Sequence, residues 1–243
     1  MRTEARPAFY ALESGGWRDY VTLLHPPYTL WHLSYVAIGA ALAPELEVER
    51  LVAALAAFFL AMGIGAHALD ELQGRPLRTE IGARMLVALA AVSLCGAVAI
   101  GLYASFAWTP WLLPMVAFGA FIVVAYNLEL AGGRFHSPLW FALSWGAFPV
   151  LAGYLVTAER LTVEAGLAAA YAGLLSLAQQ RLSTPVRAIR RRASDVSGVV
   201  RFNDGSEERI GRQTLTLPAE QALRLIAAAT VALAVGLVVM RLA

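Results

Sequence analysis

Apolar blocks, each about 18 residues long or longer, are the feature that most constrains this chain. Because a helix rises about 1.5 Å per residue, such a block crosses a hydrocarbon core of about 30 Å. Only 15% of the residues are charged, against roughly 25% in soluble domains. The sequence therefore predicts an all-α fold, a polytopic bundle of membrane-spanning helices.

Seven blocks have the length and composition of a membrane span. They cover residues 28–44, 51–69, 83–105, 108–126, 137–157, 162–180 and 219–240. The chain then divides into a cytoplasmic N-terminal segment (1–27), a six-helix membrane bundle (28–182), a cytoplasmic basic segment with a β-hairpin (183–218) and a C-terminal transmembrane helix (219–243).

The distribution of arginine predicts the orientation, since short cytoplasmic loops carry an excess of positive charge. With the N-terminus inside, sixteen arginines fall on the inner side and three, Arg50, Arg160 and Arg241, on the outer side. This predicts a multi-pass protein of a bacterial inner membrane, with its N-terminus inside and its C-terminus outside. The formal charge of +2 is too small to indicate a nucleic-acid partner, so membrane lipids are the expected surroundings.

The stretch between the sixth and seventh blocks is not membrane-like. Short apolar-alternating runs, GVVRF and ERI, flank Asn203, Asp204 and Gly205, which is typical of a β-hairpin turn. The stretch begins with Arg187 and Arg190 to Arg192, which the simplest interpretation treats as a topology anchor beside anionic lipid, and the alternative as a diphosphate or partner site.

Placing an ionisable side chain inside the membrane costs free energy, so the positions of such residues indicate where function lies. At the end of the second block, His67 lies three residues before Asp70 and four before Glu71, so one helical face presents all three. Such a set can hold a divalent ion: the carboxylates favour Mg²⁺, and the histidine favours a softer metal. The alternative is a solvated helix end in which the carboxylates pair with Arg75 or Arg78.

The end of the fourth block carries a second polar group. Tyr126, Asn127 and Glu129 precede Gly132 and Gly133, and Arg134 and His136 follow. The glycines allow a ligand to approach the backbone, and a guanidinium suits phosphate oxygens. A tight cytoplasmic turn is the alternative. Three aromatic residues in the next block favour either an apolar tunnel or ordinary packing: Trp140, Trp145 and Phe148.

The order of these features resembles the UbiA superfamily of intramembrane prenyltransferases. HPPYTLWHLSYVAIGAAL resembles the start of that family's first helix, and HALDELQGRPL resembles its first aspartate-rich motif. YNLELAGGRFHSPLWFALSWGAFPVLAGY resembles its tyrosine-led loop and Trp-Gly segment. The chain departs from the family where Gln179, Gln180 and Arg181 replace the second aspartate-rich motif.

The resemblance implies transfer of a prenyl group from a prenyl diphosphate to a lipid-soluble or aromatic acceptor, with Mg²⁺ as cofactor. It implies that His67, Asp70 and Glu71 hold the metal. Two classes of function stay open beside it: a non-catalytic lipid-binding, transport or assembly protein, and a transition-metal enzyme using His67, Asp70, Glu71, Glu129 and His136. The resemblance to the UbiA superfamily also implies that four residues bind the diphosphate or substrate: Arg75, Tyr126, Arg134 and His136. It implies that Asn127 or Glu129 orients the acceptor.

Overall fold

The computed structural model describes residues 6–243, which are mostly helical with one two-stranded sheet. A short helix, α1 (Trp17–Leu23), comes first, and a longer helix lies over each apolar block. The longer helices are α2 (Pro26–Ala41), α3 (Val48–Leu72), α4 (Ala83–Ala107), α5 (Leu112–Asn127), α6 (Pro138–Ala158), α7 (Val163–Arg192) and α8 (Arg212–Leu242). Of the predicted N-terminal segment, residues 1–5 lie outside the described part of the chain.

Four of these helices, α3, α4, α6 and α8, are long and apolar enough to cross a membrane. Helix α5 is apolar but shorter, with 16 residues. Helices α2 and α7 do not reach the same threshold: α2 has 16 residues, and the sequence of α7 contains Glu164, Gln179 and Gln180. The structure therefore supports a membrane protein with four candidate spans.

Helices α2 and α6 pack backbone against backbone, and two glycines make this possible. A Cβ atom at Gly39 of α2 would lie 2.1 Å from the carbonyl oxygen of Val150, and one at Gly153 of α6 would lie 2.2 Å from that of Val36. Small residues allow helix axes this close, which maximises the dispersion contacts of the flanking side chains. Helix α2 is thereby fixed against α6, while its other side packs against α8.

The remaining helices are arranged around this pair. Helix α7 packs on α6 at Gly146, where a Cβ atom would lie 2.6 Å from the carbonyl oxygen of Ala172. Helix α3 packs against α4, and α4 packs against α5. Both α3 and α6 contain a π-helical turn, at Phe59–Ala66 and Ala142–Ala147 respectively. Such turns are frequent at functional sites.

The predicted hairpin is confirmed by an antiparallel pair of strands, β1 (Gly198–Arg201) and β2 (Glu207–Ile210). Its turn is closed by the Asp204 carboxylate, which accepts hydrogen bonds from the backbone and hydroxyl of Ser206. The helices around it are longer than predicted: α7 continues through Pro185 to Arg192, and α8 already begins at Arg212. The non-helical part of the predicted segment 183–218 is thus reduced to residues 193–211.

We predict that Gly153→Leu destabilises the protein strongly, because its side chain has no room against the backbone of α2. Overpacking of this kind costs about 1–3 kcal/mol or more in the free energy of unfolding. Gly236→Leu is the matched control, since a Cβ atom at that helical glycine of α8 meets nothing within 4 Å. Thermal unfolding in detergent measures both variants, and equal midpoints for the two would contradict the backbone contact.

Candidate functional site

A polar cavity opens where α2 begins and where α3 and α5 end. Its empty volume is about 1200 Å³ including the mouth, and residues 7–10 cover one side of it. All four histidines of the sequence line this cavity. Its main polar lining residues are Tyr10, His25, Tyr28, His32, His67, Asp70, Tyr126, Asn127, His136, Gln179, Gln180, Arg187, Arg190 and Arg191.

The structure brings five of the predicted site residues into this one cavity. They come from the ends of two helices and from the turn that precedes α6, which are distant in sequence. The five residues are His67, Asp70, Tyr126, Asn127 and His136.

Glu71 lies outside the cavity and is fully buried. One carboxylate oxygen accepts a hydrogen bond from the backbone N–H of Leu77 at 2.9 Å. The other accepts from the backbone N–H and the hydroxyl of Thr79, at 2.9 and 2.8 Å. The carboxylate that was predicted as a second metal ligand therefore holds the loop between α3 and α4.

Three other predicted residues also lie away from the cavity lining. The guanidinium of Arg75 donates to the backbone carbonyls of Thr79 and Ile81, so it holds the same loop as Glu71. Arg134 is exposed on the turn between α5 and α6. Glu129 is also exposed there, and its carboxylate lies 3.9 Å from His136 Nδ1. The predicted diphosphate contacts of Arg75 and Arg134 are thus not brought together with Asp70.

Three of the cavity histidines contact a backbone carbonyl through Nδ1. Because a carbonyl oxygen only accepts, Nδ1 carries the proton, and Nε2 keeps a free lone pair. In two of the pairs the carbonyl belongs to a π-helical turn. The pairs are His32 with Trp145 (2.7 Å), His67 with Gly63 (3.1 Å) and His136 with Tyr126 (3.1 Å).

The fourth histidine, His25, lies between the N-terminal segment and α3. Its ring stacks on that of His67 with centroids 4.0 Å apart, and its Nδ1 lies 2.7 Å from the Tyr10 hydroxyl. Burial lowers the pKa of His25 well below its usual value, and the neighbouring His67 ring lowers this pKa further. His25 is therefore neutral in the folded protein near pH 7.

The cavity contains a limited set of metal ligands. Asp70 is the only carboxylate among the described residues that line it, and residues 6–243 contain no group of three or more metal-binding side chains. One carboxylate suits Mg²⁺ only when substrate phosphate oxygens complete the coordination shell. The predicted Mg²⁺ therefore stays a prediction, and it depends on a phosphate ligand.

The arginines of α7 were predicted first to be a topology anchor beside lipid, but three of them line the cavity: Arg187, Arg190 and Arg191. Arg190 forms a bidentate ion pair with the buried carboxylate of Glu220 on α8. The buried Nε atom of Arg191 has no hydrogen-bond partner within residues 6–243. These arginines follow Gln180 and Ser183 at helical spacings of three and four residues. This spacing is the sequence signal that could have predicted which face of α7 lines the cavity.

A second, apolar cavity lies between α3, α4, α5 and α6, with an empty volume of about 930 Å³. It is lined by alanine, valine, leucine and aromatic side chains, and Ser144 provides a lone hydroxyl. Trp145 lines both cavities, so one indole forms part of the polar wall and part of the apolar wall. The arrangement can receive an amphiphile with a polar head and an apolar tail.

Comparison of the chain with protein-family models, with curated proteins and with solved structures found no match. The resemblance to the UbiA superfamily therefore stays a prediction from the quoted residues.

We predict that Glu71→Gln lowers the free energy of unfolding by about 1.5–3 kcal/mol, because an amide replaces one of two hydrogen-bonded carboxylate oxygens. The neighbouring Asp70→Asn change serves as the control and should have a much smaller effect on stability. Chemical unfolding of both variants in detergent measures the difference. Equal losses would contradict the structural role of Glu71.

The neutral state of His25 predicts an acid-sensitive fold. In the unfolded chain the pKa of a histidine returns to about 6.5, so the unfolded state binds a proton that the folded state excludes. Stability should fall as the pH decreases below about 6.5, and it should stop falling below the depressed folded pKa. Tyr10, His67, Arg187 and Arg191 act on His25, and the cationic groups oppose its protonation.

The measurement is the unfolding midpoint between pH 8 and pH 5 for the wild type and for His25→Asn, in which the amide can replace Nδ1 beside Tyr10. The variant should lose less stability over this range than the wild type. Parallel pH profiles would show that His25 does not carry the effect.

Proposed function

We propose that the protein is a UbiA-like prenyltransferase, which transfers a prenyl group from a prenyl diphosphate to a lipid-soluble or aromatic acceptor. The observation that carries this proposal is the shared wall at Trp145 between a basic polar cavity and an apolar cavity. A prenyl diphosphate has the matching division, with an anionic head and a hydrocarbon tail.

The diphosphate head is assigned to Arg187 and Arg191. Guanidinium groups bind phosphate oxygens through paired N–H donors, and the Nε of Arg191 is buried without a partner in the described chain. Arg190 is already paired with Glu220, so it orients the arginine-bearing face of α7. Asp70 would hold a bound Mg²⁺, and the ion would supply further positive charge against the leaving diphosphate.

The reaction breaks the allylic carbon–oxygen bond, and the electron pair leaves with the diphosphate oxygen. Arg187 and Arg191 stabilise the negative charge that develops there. The rings of Tyr126, Phe141 and Trp145 lie at the cavity, and their π faces favour the allylic cation. The acceptor then bonds to the allylic carbon.

The new bond requires that the acceptor lose a proton. The free Nε2 lone pair of His67 is the proposed base, because its Nδ1 proton is held by Gly63. Asn127 is the proposed orienting residue: its Nδ2 donates to the carbonyl of Val123 at 2.7 Å, which leaves its Oδ1 for a donor on the acceptor. Residues 7–10 cover one side of the cavity and would shield the cation from water on that side.

The proposal includes seven membrane spans, an inside N-terminus and an outside C-terminus in a bacterial inner membrane. The supporting observation is that the polar cavity lies at the helix ends that carry most of the arginines, while Arg50, Arg160 and Arg241 lie at the opposite ends. Substrate would then meet the polar cavity from the cytoplasmic side.

Calorimetry of farnesyl diphosphate binding to detergent-purified protein tests the head site. With Mg²⁺ present, Arg191→Gln and Asp70→Asn should each weaken binding by about tenfold or more, because the first removes a phosphate-binding cation and the second removes the carboxylate that would hold Mg²⁺. Arg134→Gln is the matched control, because this exposed arginine does not line the cavity, and it should leave the affinity unchanged. Wild-type protein that does not bind the diphosphate, with or without Mg²⁺, would overturn the proposal.

A non-catalytic lipid-binding or transport protein is the second candidate, and the single carboxylate in the described cavity lining favours it. Both candidates bind a prenyl diphosphate, but only the enzyme releases diphosphate when an acceptor is supplied. Diphosphate release in inner-membrane lipid extracts containing natural acceptors separates the two. Tight binding without release would assign the protein to the second class.

A further inference from the structure

The apolar cavity has a defined depth. Along α6 its lining runs from Ser144 and Trp145 to Val156, and Trp145 and Val156 are about 16 Å apart at 1.5 Å per residue. Trp145 also lines the polar cavity, so the head end of a bound amphiphile lies near this residue. Its tail extends toward Val156.

Side chains at the opposite helix ends line the far end of the apolar cavity. Trp108, which follows α4, packs there with Ala104, Leu112 and Val156 in a small apolar cluster. The indole is the largest group in this cluster, and it lines the cavity at the end away from Trp145.

The side chain of Arg50 packs against Trp108. The Arg50 guanidinium lies over the Trp108 ring, with its central carbon 5.5 Å from the ring centroid. The same guanidinium donates to the backbone carbonyl of Val156 at 3.1 Å and to the Glu159 carboxylate at 2.7 Å. The two hydrogen bonds hold the guanidinium in place, and the cation–π contact favours the position of the ring beneath it.

We propose that Trp108 sets the maximum length of the prenyl tail that the protein accepts. This inference rests on the proposed function and names the substrate more narrowly. An extended farnesyl chain fits the distance between Trp145 and Val156, whereas the last isoprene unit of a geranylgeranyl chain meets the Trp108 indole. The protein therefore prefers the shorter diphosphate, because close-packed interiors reject an oversized group.

The test compares farnesyl and geranylgeranyl diphosphate, and also the two free alcohols, in binding to the full chain in nanodiscs. Trp108→Ala should improve geranylgeranyl binding relative to farnesyl binding by about tenfold or more. Trp111→Ala is the matched control: this tryptophan lies on the same loop, is 68% exposed and does not line the cavity. Trp108→Leu provides a second variant of intermediate size if the alanine variant unfolds.

The alcohols separate this inference from the proposed function. If the alcohols show the length preference and its loss in Trp108→Ala, while neither diphosphate binds, the length limit holds and the prenyl diphosphate function fails. A length preference that survives in both Trp108 variants would overturn the inference, as would an equal change in Trp111→Ala. Wild-type protein that binds none of the four probes would overturn both proposals.

Discussion

The direct backbone contact between α2 and α6 is the constraint on which the rest of the structure depends. Gly39 and Gly153 leave no side chain between the two helices, so their relative position is fixed. His32 of α2 consequently reaches the Trp145 carbonyl in the π-helical turn of α6. The same turn places the Trp145 indole between the two cavities, so one helix crossing determines the boundary between polar and apolar chemistry.

The polar and the apolar cavity are separate because burying a charged side chain costs more free energy than burying an apolar one. A charged side chain inside hydrocarbon requires a partner, whereas an apolar side chain requires none. The charged residues accordingly gather at the helix ends, where Arg190 pairs with Glu220, and the middle of α3 to α6 contains almost no polar group. The polar cavity is also lined by one carboxylate and two further guanidinium groups, those of Asp70, Arg187 and Arg191.

The helix positions could be predicted because the length of an apolar block reflects the thickness of a bilayer. The C-terminal end of α7 was not predicted, because Arg190 and its neighbours have the low hydropathy of a loop although they continue the helix. Among the site residues, Asp70 and Tyr126 could be predicted because they lie at the ends of apolar blocks, close to the depth of the membrane. Glu71 could not be excluded, because its hydrogen bonds to Leu77 and Thr79 depend on a loop conformation that spacing does not reveal. The arginines of α7 were interpreted from charge alone, without their helical face.

The position of α8 has a consequence for biosynthesis. Helix α2 emerges from the ribosome before its main packing partners, α6 and α8, have been made. Arg241 near the end of α8 donates to the carbonyls of Ala41 and Ala43, which terminate α2. Contacts between such distant parts of a chain form late and slowly. Helix α2 therefore waits for the synthesis of α8 before its surface is covered, and a chain interrupted before α8 leaves that surface open to lipid or to chaperones.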